Sequence, residues 1–292
     1  MFTATLIGET LGAGDLSVAT DRLAAAGCVP GATTWLEPGV AADIAFAGNA
    51  DAARGALEGV IARSDVIVQP TATRRKALIV ADMDSTMITV ECIDELADYA
   101  GIKAEVAAVT EAAMRGELDF EGALDARVAL LAGLDEAVIA QCLAEQVRIM
   151  PGAKALVRTM RAQGAAAVLV SGGFTRFAEP VAAEIGFDRA IANVLLIEDG
   201  RLTGNVAKPI VGSATKEDTL LAWIAERGID PALSLAVGDG ANDLAMIKRA
   251  GLGVAYHAKP IVAAAAGARI DHGDLSTLLY AQGYRRADWV DG

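Results

Sequence analysis

Four short, continuously apolar runs constrain the fold of this chain more than any other feature. They are ALIVA at 77–81, AAAVLV at 165–170, LSLAV at 233–237 and LGVAY at 252–256. Such runs are typical of central strands in a parallel sheet, because these strands are buried on both faces. Stretches with helical periodicity separate the runs along the chain. This alternation predicts an α/β fold with a doubly wound parallel sheet.

Acids, a hydroxyl, an amide and glycines follow three of these strands. They are Asp82, Asp84, Ser171, Gly172, Asp239, Asn242 and Asp243. Lys216 is expected just before the helix that leads to the third strand. Ligands of open α/β sheets bind at the carboxyl ends of the strands, so we expect these residues to share one edge of the sheet.

The first seventy residues have a different pattern. Their order is strand, helix, strand, strand, helix, strand, which predicts a small α+β domain of ferredoxin-like type over 1–70. A linker at 71–76 follows, and we interpret its basic residues 74–76 as solvated. The second domain is expected to span 77–292. Within it, the stretch from about 93 to 148 is helical in pattern and predicts a cap inserted over the site.

Composition and charge exclude several classes of protein. The 292 residues carry a net charge of −13, and such an acidic surface repels nucleic acid and anionic membranes. The three cysteines have no metal or disulfide spacing, which favours a reducing cytoplasm. The N-terminal sequence has no basic segment typical of a signal peptide, and no apolar run is long enough to span a bilayer.

The residue types at the strand ends are those of phosphoryl transfer. Carboxylates without histidine or cysteine favour Mg²⁺, which would also hold the like charges together. The turn at Ser171 and Gly172 offers a hydroxyl and backbone N–H groups to an anion, and Lys216 offers a cation. Asp82 can then act as a nucleophile on phosphorus, while Asp84 moves the proton.

The chain resembles the haloacid dehalogenase-like (HAD) phosphohydrolases, because all four of that family's motifs are present in order. The motif residues are DMDST at 82–86, Ser171, Lys216 and GDGAND at 238–243. Residues 77 to about 275 are more similar still to the phosphoserine phosphatases, on DMDSTMITVECIDELA at 82–97 and MRGELDFEGALDARVALLAG at 114–133. The resemblance implies a HAD-like Rossmannoid core, a helical cap and Mg²⁺-dependent hydrolysis of O-phospho-L-serine, the last step of serine biosynthesis.

The resemblance also implies a role for each residue. Asp82 corresponds to the nucleophile and Asp84 to the general acid and base. The Mg²⁺ ligands correspond to Asp82, the backbone carbonyl of Asp84 and Asp239, with Asp243 as a supporting acid. The phosphate site corresponds to Ser171, Gly172 and Lys216, with Asn242 beside it. In the cap, Glu91 would face the substrate ammonium, Arg127 its carboxylate, and Met114 and Phe120 would close over it.

Three other interpretations remain beside this one. The chain could hydrolyse a different small phosphate ester or pass the phosphoryl group to another hydroxyl. It could be a fragment of an ion-pumping ATPase, but those pumps lack an acid at the place of Asp84. It could be a non-catalytic sensor, against which the complete set of acids argues. The N-terminal domain resembles ACT-type regulatory domains only in general, and packing or formation of a homodimer explains it equally well.

Overall fold

The computed structural model describes residues 1–114 and 117–290, and its N-terminal unit is a four-stranded antiparallel sheet. The elements are β1 (Phe2–Gly8), α1 (Ala13–Ala25), β2 (Val29–Glu37), β3 (Ala41–Ala47), α2 (Ala50–Leu57) and β4 (Ser64–Pro70). The strand order is β2-β3-β1-β4. Both the element order and the sheet confirm the ferredoxin-like prediction.

The second unit is organised by a six-stranded parallel sheet. Its strands are β5 (Leu78–Ala81), β6 (Ala166–Phe174), β7 (Arg189–Asn193), β10 (Ser234–Gly238), β11 (Leu252–Tyr256) and β12 (Ala268–Ile270). A separate hairpin is formed by β8 (Leu195–Glu198) and β9 (Arg201–Val206). The order in the sheet is β12-β11-β10-β5-β6-β7. After β5, the chain first adds β6 and β7 on one side of this strand and then adds β10, β11 and β12 on the other. The doubly wound fold is therefore confirmed.

Ten helices accompany this sheet among the described residues. They are α3 (Cys92–Tyr99), α4 (Lys103–Met114), α5 (Phe120–Ala129), α6 (Ala137–Glu145), α7 (Ala153–Ala162), α8 (Thr175–Ile185), α9 (Ser213–Arg227), α10 (Leu244–Arg249), α11 (Pro260–Ala265) and α12 (Thr277–Ala281). Within residues 1–114 and 117–290, no helix is both long and apolar enough to cross a membrane.

The environment of the central strand β5 explains why apolar and polar residues do not alternate in its sequence. Ile79 and Ala81 pack into one apolar cluster, while Leu78 and Val80 pack into another. Successive side chains of a strand point to opposite faces, so all four residues must be apolar when helices cover both faces. The burial of β5 places Asp82 at the point where the chain leaves the core.

Helices α3 to α6 lie between β5 and α7, which is where the cap is predicted. The β8–β9 hairpin, which the sequence pattern did not predict, is hydrogen-bonded to the segment between α5 and α6. The Gly133 amide donates to the Leu202 carbonyl at 2.8 Å, and the Leu202 amide donates to the Leu134 carbonyl at 2.9 Å. The hairpin therefore supports the cap from the side of the parallel sheet.

The prediction that the basic residues 74–76 are solvated is wrong for two of the three. Arg74 donates to both carboxylate oxygens of Asp43, at 2.7 and 2.9 Å, and to the Tyr280 and Ala281 carbonyls. Lys76 is buried and donates to the Ala232 carbonyl at 2.9 Å. The linker joins two packed units, and the part-buried Arg74 is satisfied by acceptors of both.

Asp65, on β4, makes a second polar contact between the units. Its buried carboxylate accepts hydrogen bonds from the backbone amides of Asp271, His272 and Gly273, at distances from 2.7 to 3.4 Å. These three residues follow β12, at the edge of the parallel sheet. A carboxylate bonded to several amides is a strong, charge-assisted contact, so the N-terminal unit holds this loop in one position.

Removal of the Asp43 carboxylate is expected to destabilise the protein strongly. In Asp43→Ala, the Arg74 guanidinium loses its carboxylate partner in a nearly buried position, which costs about 3–5 kcal/mol in the free energy of unfolding. Chemical denaturation measures this loss. The matched control is Glu9→Ala, because the Glu9–Arg63 pair is highly exposed and is worth about 0–1 kcal/mol. Equal losses in the two variants would contradict the prediction.

Candidate active site

The carboxyl ends of three neighbouring strands, β5, β6 and β10, open into one cavity of about 640 Å³. Residues after β5 and β10 and the last residues of β6 line its floor, and residues of α3, α4 and α5 line the opposite wall. The cavity therefore lies at the switch point of the sheet, where α/β proteins bind ligands. It also lies beneath the inserted helices.

The floor is organised around the ammonium group of Lys216. This side chain is fully buried, and its Nζ lies 2.7 Å from Asp82 Oδ1 and 2.6 Å from Asp243 Oδ1. Burial by itself would lower the pKa of Lys216, but the two carboxylates more than offset it, so the pKa is raised. The lysine is therefore a permanent cation beneath the strand ends.

Asp82, Asp239 and Asp243 form a carboxylate cluster, in which one oxygen of each lies within 4.8 Å of the others. Burial raises the pKa of Asp239 to about 6, and the charges of Asp82 and Glu91 add to this. Burial and the charge of Asp82 also raise the pKa of Asp243, against the opposing effect of Lys216. Both shifts reflect first the cost of burying a charged carboxylate and then the repulsion by the neighbouring negative charges.

This cluster fits a hard divalent cation. Its ligand atoms are carboxylate oxygens, and the charge of Lys216 neutralises only one of the three acids. A divalent ion would relieve the remaining repulsion that raises the pKa values. Thr86 contributes from the side, because its hydroxyl donates to Asp239 Oδ1 at 3.2 Å and orients that carboxylate.

Asp84 lies close to the cluster but belongs to a different set of contacts. Its Oδ1 accepts the Cys92 amide at 3.2 Å, and its Oδ2 lies 3.5 Å from the Ser171 hydroxyl. Burial, then the charges of Glu91 and Asp82, raise the pKa of Asp84 to about 7. Near neutral pH this carboxyl group can therefore give or take a proton, as a general acid and base must.

Ser171 and Gly172 lie in the last four residues of β6, where the strand register is irregular, and not after the strand as the sequence predicted. The buried Ser171 hydroxyl accepts the Gly173 amide at 2.8 Å, so the turn folds around this oxygen. Gly172 lies on the cavity surface, and a Cβ atom there would come within 3.0 Å of the Phe120 ring. A glycine at this position lets the cap approach the floor closely.

Asn193 supports this turn, and the sequence analysis missed it. Its side-chain amide donates to the Gly172 carbonyl at 2.9 Å, and its Oδ1 accepts the Val211 amide at 2.7 Å. It therefore joins the end of β6 to the segment before α9. Lys216 lies in the first turn of α9, not just before this helix as the sequence predicted. A buried asparagine ending an apolar strand is the only sequence signal for this role, and it is a weak one.

Glu91 and Arg127 are brought to the same cavity from different helices. Glu91 precedes α3 and accepts the Ser85 hydroxyl at 2.7 Å, while Arg127 lies in the last turn of α5. Burial raises the pKa of Glu91, and the positive charge of Arg127 partly opposes this. The cap wall therefore presents an acid and a planar base to the same space.

The remaining predicted residues have different outcomes. Phe120 lines the cavity, and its ring lies over Gly172 and Gly212 as a lid residue would. Asn242 also lines the cavity, in the short turn between β10 and α10. Met114 ends helix α4, but its side chain lies outside the described residues, so its predicted contact with the substrate stays a prediction.

Residues 79–248 match the model of the haloacid dehalogenase-like hydrolases, and the chain belongs to that family. The resemblance seen in the sequence motifs is thereby confirmed. The matched residues begin within β5 and end within α10, so they include the three strand ends and the cap.

Several relatives found by sequence and by structure are named as phosphoserine phosphatases. That of Streptomyces coelicolor is 47% identical over 235 residues, which cover 80% of this chain and 57% of that protein. That of Albidiferax ferrireducens is 50% identical and covers 69% of this chain and 87% of that protein. The unliganded structure of a probable phosphoserine phosphatase from Vibrio cholerae has a TM-score of 0.80 at 34% identity, covering 98% of this chain and 88% of that one. The chain spans little more than half the length of the Streptomyces relative.

The close approach of Asp243 to the backbone generates a prediction. A Cβ atom at Gly238 would lie 2.3 Å from Asp243 Cγ, so Gly238→Ala must displace this carboxylate from Lys216 and the cluster. We expect affinity for Mg²⁺, measured by titration calorimetry, to fall about tenfold or more, as when a ligand loses its support.

The matched control for this change is Gly55→Ala. A Cβ atom at Gly55, on α2, meets nothing within 4 Å. This variant should keep its affinity for Mg²⁺ and gain about 0.5–1 kcal/mol in the free energy of unfolding, because alanine favours the helix. Unchanged binding in Gly238→Ala would show that the cluster does not hold the ion.

Proposed function

We propose that the chain is a Mg²⁺-dependent phosphoserine phosphatase that hydrolyses O-phospho-L-serine to L-serine and phosphate. The observation that carries the proposal is the meeting, in one cavity, of the Asp82 cluster with the acid and base of the cap, Glu91 and Arg127. Phosphoserine bears a phosphate, an ammonium and a carboxylate, and each has a complementary group here. The names of the relatives support the same substrate.

Asp82 is the proposed nucleophile. Its carboxylate forms the new bond to phosphorus while the bond from phosphorus to the seryl oxygen breaks, and this oxygen takes the proton of Asp84. Water then attacks the aspartyl-phosphate and gives its proton to Asp84, and the bond from phosphorus to Asp82 breaks to release phosphate. The raised pKa of Asp84 suits both proton transfers at neutral pH.

The metal would be held by Asp82, the backbone carbonyl of Asp84 and Asp239, with Asp243 in support. When bound, Mg²⁺ supplies charge neutralisation for the phosphoryl oxygens. Lys216, which lies 2.7 Å from Asp82 Oδ1, holds the phosphate end of the substrate together with the Ser171 hydroxyl and the Gly172 amide. Asn242 lies beside this phosphate site. A preorganised set of donors of this kind stabilises the charge of the transition state.

The cap residues provide the specificity for an amino-acid phosphate. Glu91 receives the substrate ammonium, and Arg127 binds the substrate carboxylate with two parallel hydrogen bonds. Phe120, with Met114, closes over the bound molecule and excludes water. Closure protects the aspartyl-phosphate until serine has left.

The wider setting follows from the same reaction. The enzyme catalyses the last step of serine biosynthesis in the cytoplasm, and neither nucleic acid nor a membrane is a partner. The chain divides into an N-terminal domain at 1–70, a linker at 71–76 and a phosphatase domain at 77–292 with its cap at about 93–148. For the N-terminal domain, packing, formation of a homodimer and sensing of an amino acid remain alternative roles.

The first test is release of phosphate from L-phosphoserine. We expect turnover with Mg²⁺, none with EDTA, and weak turnover of phosphothreonine and of a sugar phosphate, because the cap groups match a small amino-acid ester. Asp82→Asn should lose activity by about 10⁴-fold or more, as the loss of a nucleophile does, whereas Asp125→Asn, in an exposed ion pair, should stay active. Preference for sugar phosphates would discard the assignment of the cap, and activity in Asp82→Asn would discard the mechanism.

The roles of the two cap charges can be separated with substrate analogues. Phosphoethanolamine lacks the carboxylate, and phospholactate lacks the ammonium. Arg127→Lys should raise KM for phosphoserine about tenfold or more, because lysine cannot make the two parallel hydrogen bonds to the carboxylate. It should leave turnover of phosphoethanolamine unchanged. Glu91→Gln should affect phosphoserine but not phospholactate. Equal effects on all three esters would mean that these residues do not read the amino-acid end. The control is Arg176→Lys, in an exposed ion pair.

A further inference from the structure

The cavity has few positive charges to attract an anionic substrate. Among the described residues that line it, six are acids and two are bases. The acids are Asp82, Asp84, Glu91, Asp94, Asp119 and Asp239. The bases are Arg127, on the cap, and Lys259, on the side of the parallel sheet. Lys259 has no part in the mechanism described above.

Lys259 is held next to the carboxylate cluster by its backbone. Its amide donates to the Asp239 carbonyl at 3.3 Å, and its own carbonyl accepts the amides of Val262 and Ala263 in the first turn of α11. Pro260, which follows it, begins this helix. The backbone at 259 is therefore fixed beside Asp239, while the side chain is exposed at the cavity.

The loop before Lys259 is fixed as well. His257 has a left-handed backbone with φ of 42°, and its Nε2 lies 2.9 Å from the Gly273 carbonyl. The amide of Gly273 is one of the three that Asp65 holds from the N-terminal unit. A non-glycine residue adopts this conformation only where its surroundings enforce it, so the path from β11 to Lys259 is well determined.

The two lysines of the site differ in how much of their charge is available. Lys216 contacts two carboxylates at less than 3 Å, so its field is largely compensated before a substrate arrives. Among the described residues, none forms an ion pair with Lys259. The charge of Lys259 therefore acts on whatever enters the cavity, and it does so from the wall that carries Asp239 and Asn242.

We propose that Lys259 is a substrate-binding residue that draws the phosphate group toward the carboxylate cluster and contacts it on entry and on release. The inference rests on the proposed function, since it requires a phosphate ester as the substrate. It explains how a chain with a net charge of −13 admits a dianion past the acids of the cap. The contact is electrostatic and leaves the chemical steps to Asp82 and Asp84.

The test compares Lys259→Gln and Lys259→Arg with the wild-type protein in steady-state hydrolysis of phosphoserine. We expect Lys259→Gln to raise KM about three- to tenfold at low salt, because one exposed charge contributes about this much to attraction of a dianion. The value of kcat should change less than twofold, and the KM of Lys259→Arg should be close to that of the wild-type protein. The control is Lys248→Gln, which removes the same charge from an exposed residue of α10 outside the cavity.

Two further measurements identify which end of the substrate Lys259 serves. The difference in KM between wild type and Lys259→Gln should shrink as NaCl is raised, because salt screens an exposed charge. Inhibition by inorganic phosphate should weaken by the same factor as substrate binding, while inhibition by L-serine should not change.

The possible failures are distinct from one another. If wild type releases no phosphate from phosphoserine, the proposed function itself fails. If wild type is active and Lys259→Gln has the KM and salt dependence of Lys248→Gln, the role of Lys259 is wrong. A lower kcat with unchanged KM would overturn it too, as would equal weakening of inhibition by serine and phosphate. Thermal unfolding of each variant shows whether the fold is retained.

Discussion

The buried ammonium of Lys216 is the interaction on which the rest of the site depends. It lies between Asp82 and Asp243, and without it these two buried carboxylates would repel each other. The single positive charge of Lys216 offsets one negative charge, but the cluster contains three carboxylates. The site is thus left with excess negative charge, held by the backbone in a geometry that fits a hard divalent ion.

The surrounding structure fixes the position of this lysine and of the groups next to it. Asn193 joins the segment before α9 to the end of β6, so Lys216 and Ser171 are fixed relative to each other. The absence of a side chain at Gly238 lets Asp243 lie against the end of β10. These contacts belong to different parts of the chain and cooperate only because β5, β6 and β10 are neighbours in one sheet. Such support is what gives a polar site its preorganisation.

The N-terminal unit is tied to the parallel sheet by polar contacts rather than by a large apolar surface alone. Arg74 and Asp65 each satisfy several buried partners across the junction. Asp65 holds the loop after β12, and the Gly273 carbonyl of this loop contacts His257 Nε2. His257 is two residues before Lys259, which lines the cavity, so a chain of contacts connects the N-terminal unit to the cavity wall. Its attachment therefore bears on the shape of the site, although none of its side chains lines the cavity among the described residues.

The sequence by itself determined the class of fold and most of the candidate site. Apolar runs of β5, β6, β10 and β11 predict the parallel sheet because burial on both faces leaves no other pattern, and polar residues at strand ends predict the chemistry. It did not predict the edge strands, the β8–β9 hairpin, Asn193 or the contacts of Arg74 with both units. Only the tertiary structure decided these, because each depends on a partner distant in sequence: a short polar strand or a lone polar residue shows no local pattern until the chain brings that partner to it.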